Sequence, residues 1–237
     1  MSERFAIIIP CYNEASGLES LIQNIQSLKL PADVVIVDDG STDATARIAQ
    51  NLPVHLLRLP ENLGIGGAVQ TGIKWAFREN YDFAIQLDGD GQHPPEMIAK
   101  LVSHYKQTHA NVVVGSRFLE SKGYQSTWAR RIGISCIRFF IQKLTGLQVS
   151  DPTSGFRLMD KKALQTFSRF YPHDFPEPVS YAIINRFGLK VSETPTAMRD
   201  RTHGVSSIAG IKTALYMLRV IGHLFLISTI REESKIA

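Results

Sequence analysis

The chain has 237 residues, 44% of them hydrophobic and 20% charged, with a formal net charge of +4 at pH 7. That length and apolar content suit one large domain and exclude general disorder. The modest basic excess fits anionic partners such as nucleotides, phosphates or a membrane surface; with no long Lys/Arg run and no recognised motif, nucleic acid is not expected.

Residues 5–9 are a short apolar run that reads as a buried strand. The run is too short for a signal peptide and is followed by Pro10-Cys11-Tyr12-Asn13-Glu14. Leu18, Leu21, Ile22 and Ile25 recur at helical spacing. Residues 34–37 are a second strand, and Ser41-Thr42-Asp43 opens a helix through Ile48. Residues 54–57 read as a third strand, 68–77 as a helix, 83–87 as a fourth strand, 96–105 as a helix and 112–114 as a fifth strand. Such alternation predicts an α/β fold with a mostly parallel sheet flanked by helices. Ligands then bind beyond the carboxyl ends of the strands.

The second half is less regular. A helix is expected over 128–144, a strand over 156–159, a helix over 179–187, one or two short strands around Pro195, and a last helix over 208–230. Residues 1–207 are read as one main domain and 208–237 as an amphipathic helix and tail. Lys212, Tyr216, Arg219 and His223 would form one polar stripe on that helix, with apolar residues over much of the remainder. That pattern suits a bilayer interface, or equally a helix buried against the domain or a partner. No stretch reaches about 18 uninterrupted apolar residues, so the chain is not expected to span a membrane by itself. Cys11 and Cys136 give no disulfide framework and fit a reducing compartment.

Three segments carry chemistry. In Gln86-Leu87-Asp88-Gly89-Asp90-Gly91-Gln92-His93-Pro94-Pro95, two carboxylates one residue apart follow a strand. Mg²⁺ takes one or two protein carboxylates and completes its shell with water and substrate phosphate, so this pair suits a cation holding a diphosphate. Gly89 is expected to permit unusual backbone angles between the two ligands. His93 reads as structural, with metal ligation the lesser account. In Asp38-Asp39-Gly40-Ser41-Thr42, Gly40 allows a tight turn and Ser41 or Thr42 can cap a helix. Beyond that bland reading, a carboxylate there can bind a base edge or ribose. Asn62-Leu63-Gly64-Ile65-Gly66-Gly67 is a glycine-rich entry to a helix, suited to phosphate or simply a flexible loop. It is neither a Walker loop nor a dinucleotide fingerprint.

With Ile7-Ile8-Ile9-Pro10-Cys11-Tyr12-Asn13-Glu14, these runs resemble the family 2 glycosyltransferases of the GT-A fold, and within them the dolichyl/polyprenyl-phosphate sugar synthase type. The resemblance implies a metal-dependent, inverting transfer from a nucleoside-diphosphate sugar to a polyprenyl phosphate, with Mg²⁺ or Mn²⁺ as cofactor. It assigns nucleotide-sugar binding to Pro10, Tyr12, Glu14, Asp39, Gly64, Asp88 and Arg201, and metal binding to Asp88, Asp90 and Gln92. Gly115-Ser116-Arg117 and the Arg131/Ser135 pair resemble the lipid-phosphate contacts, and Asp151 through Arg157 a run near the acceptor. Catalytic roles are thereby expected for Asp90, Arg117, Arg131 and Asp151. For Arg131, Ser135, Arg138 and Gln142, on one helical face, the bland reading is a solvated basic surface, favoured for Arg138. For residues 151–157 it is an Asp-Pro turn with a buried structural arginine. Ser207 stands where many relatives carry Lys, which bears on the identity of the sugar nucleotide.

A phosphate monoester is already largely dianionic at pH 7, with a second pKa of about 6, and needs no base to attack. A hydroxyl acceptor does need one; Asp151 is the candidate in that case. The alternatives to the lipid acceptor are a saccharide hydroxyl in cell-surface polysaccharide synthesis, or a non-catalytic nucleotide-sugar-binding scaffold. The expected setting is peripheral, at the cytoplasmic face of the membrane. The lipid would be reached through the interfacial helix or a small transmembrane partner subunit, and the same helix could equally form a homo-oligomer.

Overall fold

The computed structural model describes residues 3–120, 128–197 and 211–229; of the helical segments 128–130 and 211–216 only the backbone is described. The expectations at Arg201 and Ser207, and for the side chains of Lys212 and Tyr216, lie outside the described residues.

Seven strands form one sheet: β1 (Phe5–Cys11), β2 (Ala32–Asp38), β3 (His55–Arg58), β4 (Phe83–Gln86), β5 (Val112–Ser116), β6 (Arg157–Asp160) and β7 (Val191–Pro195). Their order is β3-β2-β1-β4-β6-β5-β7. Pairings are parallel except those of β6, which runs antiparallel to both β4 and β5. The sheet is mostly parallel, as expected, with one reversed strand.

Side-chain alternation along β1 feeds two cores. Ala6 and Ile8 face one, and Phe5, Ile7 and Ile9 the other. Being buried on both sides, the strand reads as a continuous apolar run. α1 (Leu18–Ser27) and α4 (Ile98–Thr108) cover one side through Leu18, Leu21, Ile22, Ile25, Ile98 and Leu101. The other side takes α3 (Gly64–Arg78), α5 (Trp128–Thr145), α6 (Lys161–Arg169), α7 (Pro176–Arg186) and α8 (Ile211–Thr229). Val220 and Leu224 of α8 join Ile137 and Ile141 of α5 in that core. Leu218, Phe225 and Leu226 stay exposed on α8, as do Ile132 and Phe139 on α5. No described helix is long and apolar enough to cross a membrane.

Several boundaries move for identifiable reasons. The helix expected from Ser41 begins at Thr45, as α2 (Thr45–Ala49), because the preceding residues bond to another loop. α3 begins at Gly64, so the glycine-rich run is its first turn rather than a loop before it. α7 begins at Pro176, where a proline at the first helical position loses no hydrogen bond. α6 was not expected at all. Its signal is present: Asp160 accepts from the Ala163 N–H as an N-cap, and Ala163, Leu164 and Phe167 are buried at helical spacing.

Candidate active site

The carboxyl ends of β1, β2 and β4 open into one cleft of about 320 Å³. Pro10, Tyr12, Glu14, Asp39, Gly64, Asp88 and Asp90 all line it. Seven residues expected to bind nucleotide sugar or metal, drawn from four separate segments, thus meet at one place.

The first two loops are sewn together. Asn13 takes a left-handed conformation (φ 57°), which Asn tolerates better than most residues. Its Oδ1 accepts from the N–H groups of Thr42 and Asp43 at 2.9 and 3.3 Å. In return the Asn13 N–H donates to Ser41 Oγ at 3.0 Å, and the Glu14 N–H to Thr45 Oγ1 at 2.9 Å. Ser41 therefore fixes the neighbouring loop instead of capping a helix. Asp39 Oδ1 accepts from the Leu63 N–H at 2.7 Å, tying this pair of loops to the start of α3. Burial pushes the Asp39 carboxyl above the usual carboxylate range; the N–H groups of Leu63 and Gly64 act against it, Asp38 adds to it, and His173 opposes it. His173, outside every recognised run, is a contributor the sequence did not reveal.

At the metal end, Gly89 is required by space rather than by backbone angle, which corrects the expectation. It is not among the positive-φ glycines, but an added Cβ would lie 2.9 Å from Cys11 Sγ and 3.0 Å from the Pro10 carbonyl oxygen. The strand end of β1 thus presses directly against the turn that carries both aspartates. Asp90 Oδ1 accepts from the Gln92 N–H at 3.0 Å, closing that turn. His93 is buried and stacked on Phe156, with ring centroids 5.1 Å apart, and its Nδ1 accepts from the Asp88 N–H at 3.3 Å. It braces Asp88, in keeping with the structural reading. The described residues hold no cluster of three or more His, Cys, Asp or Glu side chains able to hold a metal. Two carboxylates lining the cleft fit a hard cation whose remaining ligands are water and substrate phosphate.

The residues expected to meet the acceptor behave differently. Asp151 is fully buried and forms a bidentate pair with Arg117: Nε to Oδ2 and Nη2 to Oδ1, both at 2.6 Å. Arg117 Nη2 also donates to Thr153 Oγ1 at 2.7 Å. The backbone N–H of Asp151 donates in turn to Glu193 Oε1 at 2.9 Å. With both oxygens engaged and no solvent access, Asp151 is built to hold Arg117 rather than to accept a proton. Arg157 is likewise 1% exposed, and its donors go to the Ser154 carbonyl, Ser180 Oγ and the Glu177 carbonyl. It supports the loop, one of its two expected readings. Arg131 and Ser135 lie four apart on α5, exposed, as do Arg138 and Gln142. Arg138 Nε donates to the Val149 carbonyl at 3.0 Å and anchors the segment after the helix. One cleft residue was missed altogether: Glu177, on the first turn of α7, lines the same cavity.

The model of glycosyl transferase family 2 matches residues 6–167. The chain belongs to this family. Among its relatives is a polyprenol monophosphomannose synthase of Mycolicibacterium smegmatis, 27% identical over 232 residues that cover 92% of this chain and 86% of that protein. A UDP-N-acetylglucosamine–dolichyl-phosphate N-acetylglucosaminyltransferase of Methanococcus voltae is 31% identical, covering 80% and 83%. Among solved structures, glucosyl-3-phosphoglycerate synthase from Mycobacterium tuberculosis, in complex with Mn²⁺, UDP-glucose and phosphoglyceric acid, superposes with a TM-score of 0.71 at 18% identity. That match covers 98% of this chain and 82% of the other. The fold of this family 2 member is thus GT-A, with β6 as the reversed strand and the aspartate pair just beyond β4.

Proposed function

We propose that this family 2 glycosyltransferase moves a sugar from a nucleoside-diphosphate donor to a polyprenyl phosphate, inverting the anomeric centre. The observation that carries this reading is the meeting of Tyr12, Glu14, Asp39, Gly64, Asp88 and Asp90 in one cleft. Likeness to transferases named for polyprenol and dolichyl phosphates supports the acceptor class.

Pro10, Tyr12, Glu14 and Asp39 take the nucleoside end, and the first turn of α3 after Gly64, whose own N–H is held by Asn62 Oδ1 at 3.0 Å, would meet the diphosphate. Asp88 and Asp90, with Gln92, would hold Mg²⁺ or Mn²⁺. A cation held there would neutralise the charge that builds on the departing nucleoside diphosphate. Arg201 is proposed to clamp the same diphosphate. Arg117, Arg131 and Ser135 are proposed to hold the acceptor phosphate, with Asp151 fixing the Arg117 fork. An acceptor phosphate oxygen attacks the anomeric carbon as its bond to the diphosphate breaks. No protein base is needed, because the acceptor is already ionised.

The lipid is met at the bilayer interface through α5 and α8. Ile132 and Phe139, and likewise Leu218 and Phe225, recur seven apart as exposed apolar stripes beside Arg131, Arg138 and Arg219. A peripheral position on the cytoplasmic face follows from the need for nucleotide sugars.

The test is transfer by the chain with Mg²⁺ or Mn²⁺, offering labelled UDP-glucose, UDP-N-acetylglucosamine and GDP-mannose with undecaprenyl phosphate in vesicles or with soluble saccharides. A metal-requiring, lipid-soluble product is expected. Product formed only with the saccharides would overturn the acceptor assignment.

A further inference from the structure

The cleft contains one acidic side chain that the preceding roles do not use. Glu177 faces it together with Asp88 and Asp90, although it lies far from them in sequence. Much of the surrounding structure holds it there. Phe175, just before α7, is in the left-handed region (φ 50°, ψ 52°), a costly conformation for a bulky residue that persists only where its surroundings enforce it. Pro176 fixes the next backbone angle. The Glu177 carbonyl then accepts from both Arg157 Nη2 at 2.9 Å and Ser180 Oγ at 2.8 Å. The buried Arg157 also reaches the Ser154 carbonyl at 2.8 Å, so one guanidinium locks the first turn of α7 to the loop that carries Asp151.

The backbone of Glu177 is therefore clamped, while its carboxyl finds no cation or hydroxyl of the described chain within bonding distance; its own N–H is the group that bonds it. Burial raises this carboxyl from the ordinary carboxylate range, Arg157 opposing the shift, and both Asp88 and Arg117 lie within electrostatic reach. The leaving diphosphate belongs at Asp88 and the attacking phosphate at Arg117. The transferred sugar ring must lie between them, and its hydroxyls are the donors that a desolvated carboxylate there lacks.

We propose that Glu177 reads the transferred sugar, its carboxylate accepting hydrogen bonds from ring hydroxyls of the nucleoside-diphosphate sugar. The inference rests on the reading of the cleft as a nucleotide-sugar site, but not on the identity of the acceptor. It makes Glu177 a specificity-determining residue: a site built to bind a hydroxyl discriminates strongly against analogues that lack it.

The experiment is calorimetric, with Mn²⁺ present and no acceptor. Wild type, Glu177→Gln and Glu177→Ala are titrated with UDP, GDP, UDP-glucose, UDP-N-acetylglucosamine and GDP-mannose, and unchanged melting temperatures establish that the variants fold. For the sugar nucleotide that wild type prefers, Glu177→Ala is expected to bind about tenfold to a hundredfold more weakly. Binding of the matching bare diphosphate should stay as in wild type. Deoxy analogues of that sugar should bind both proteins alike at the hydroxyl that is read. Equal weakening of the bare diphosphate would overturn the inference in favour of a structural role. Unchanged sugar-nucleotide binding would overturn it outright; if transfer assays then lost turnover only on a saccharide acceptor, Glu177 would be a general base. A Glu177-dependent preference without transfer to undecaprenyl phosphate would sustain the inference while the acceptor assignment failed. No binding of any of these nucleotides by wild type would remove both.

Discussion

Asp88 and Asp90 stand open to the cleft, whereas Asp151 is sealed beneath Arg117 with neither oxygen available to solvent. The first pair sits on a turn just beyond β4, braced from behind by His93 and by the backbone at Pro10. The second is one link in a chain from Glu193 through Asp151 to Arg117, with Arg157 making a parallel link from the same loop to α7. The residues proposed for the donor thus line a cavity. The residues proposed for the acceptor spend most of their charges on holding one another, and Arg117 is fixed in place by Asp151 and Thr153. An arginine already paired with a carboxylate holds a phosphate without fully quenching its charge, which suits a phosphate that must attack.

Substitutions can break this contrast at several strengths. The largest effect is expected from Asp151→Ala: removing one partner of a buried pair costs about 3–5 kcal/mol, and thermal or denaturant unfolding measures it. A loss below about 1 kcal/mol would mean that the pair is not the keystone of the acceptor side. Asp90→Ala should leave stability near wild type while lowering metal-dependent turnover by at least about a hundredfold, the scale for removing one electrostatic stabiliser of a transition state. Initial rates across a Mn²⁺ titration test this, and undiminished turnover would remove Asp90 from the metal site. Gly89→Ala forces a methyl group against Cys11 and Pro10; overpacking of this kind costs about 1–3 kcal/mol. It should also weaken Mn²⁺-dependent nucleotide binding, whereas Gly17→Ala, which meets no atom within 4 Å, should not. The smallest stability change, within about 0.5 kcal/mol, is expected for the exposed Arg131→Ala. Its KM for undecaprenyl phosphate should rise more than its KM for the sugar nucleotide; equal rises in both would make Arg131 structural.

The same contrast explains what could be read from the residues alone. The donor motifs are local: Asp-Gly-Asp, Asp-Asp-Gly and Pro-Cys-Tyr-Asn-Glu each follow a buried strand, and strand ends in parallel sheets converge. Seven of the expected residues accordingly share the cleft. Helices with four or more apolar residues at helical spacing, such as α1 and α5, were equally legible, because one apolar stripe faces one core. The short α6 was not, although Asp160 caps it, since its nine residues hold only three buried positions. The pairing of Arg117 with Asp151 joins residues 34 apart, and sequence separation carries no sign of which charges will meet.

From its residues this chain determines an α/β sheet, the order of strands and helices through its first half, and the placing of its carboxylate motifs at the strand ends. Those follow from periodicity and from side chains adjacent along the backbone. Tertiary structure decided which arginines brace the protein and which remain at the surface, and that Gly89 serves close packing. It also decided that Glu177 lines the same cleft as the aspartates. Each of these depends on which groups lose water together, and burial is fixed only when the reversed strand β6 and helices α5, α7 and α8 close on the sheet.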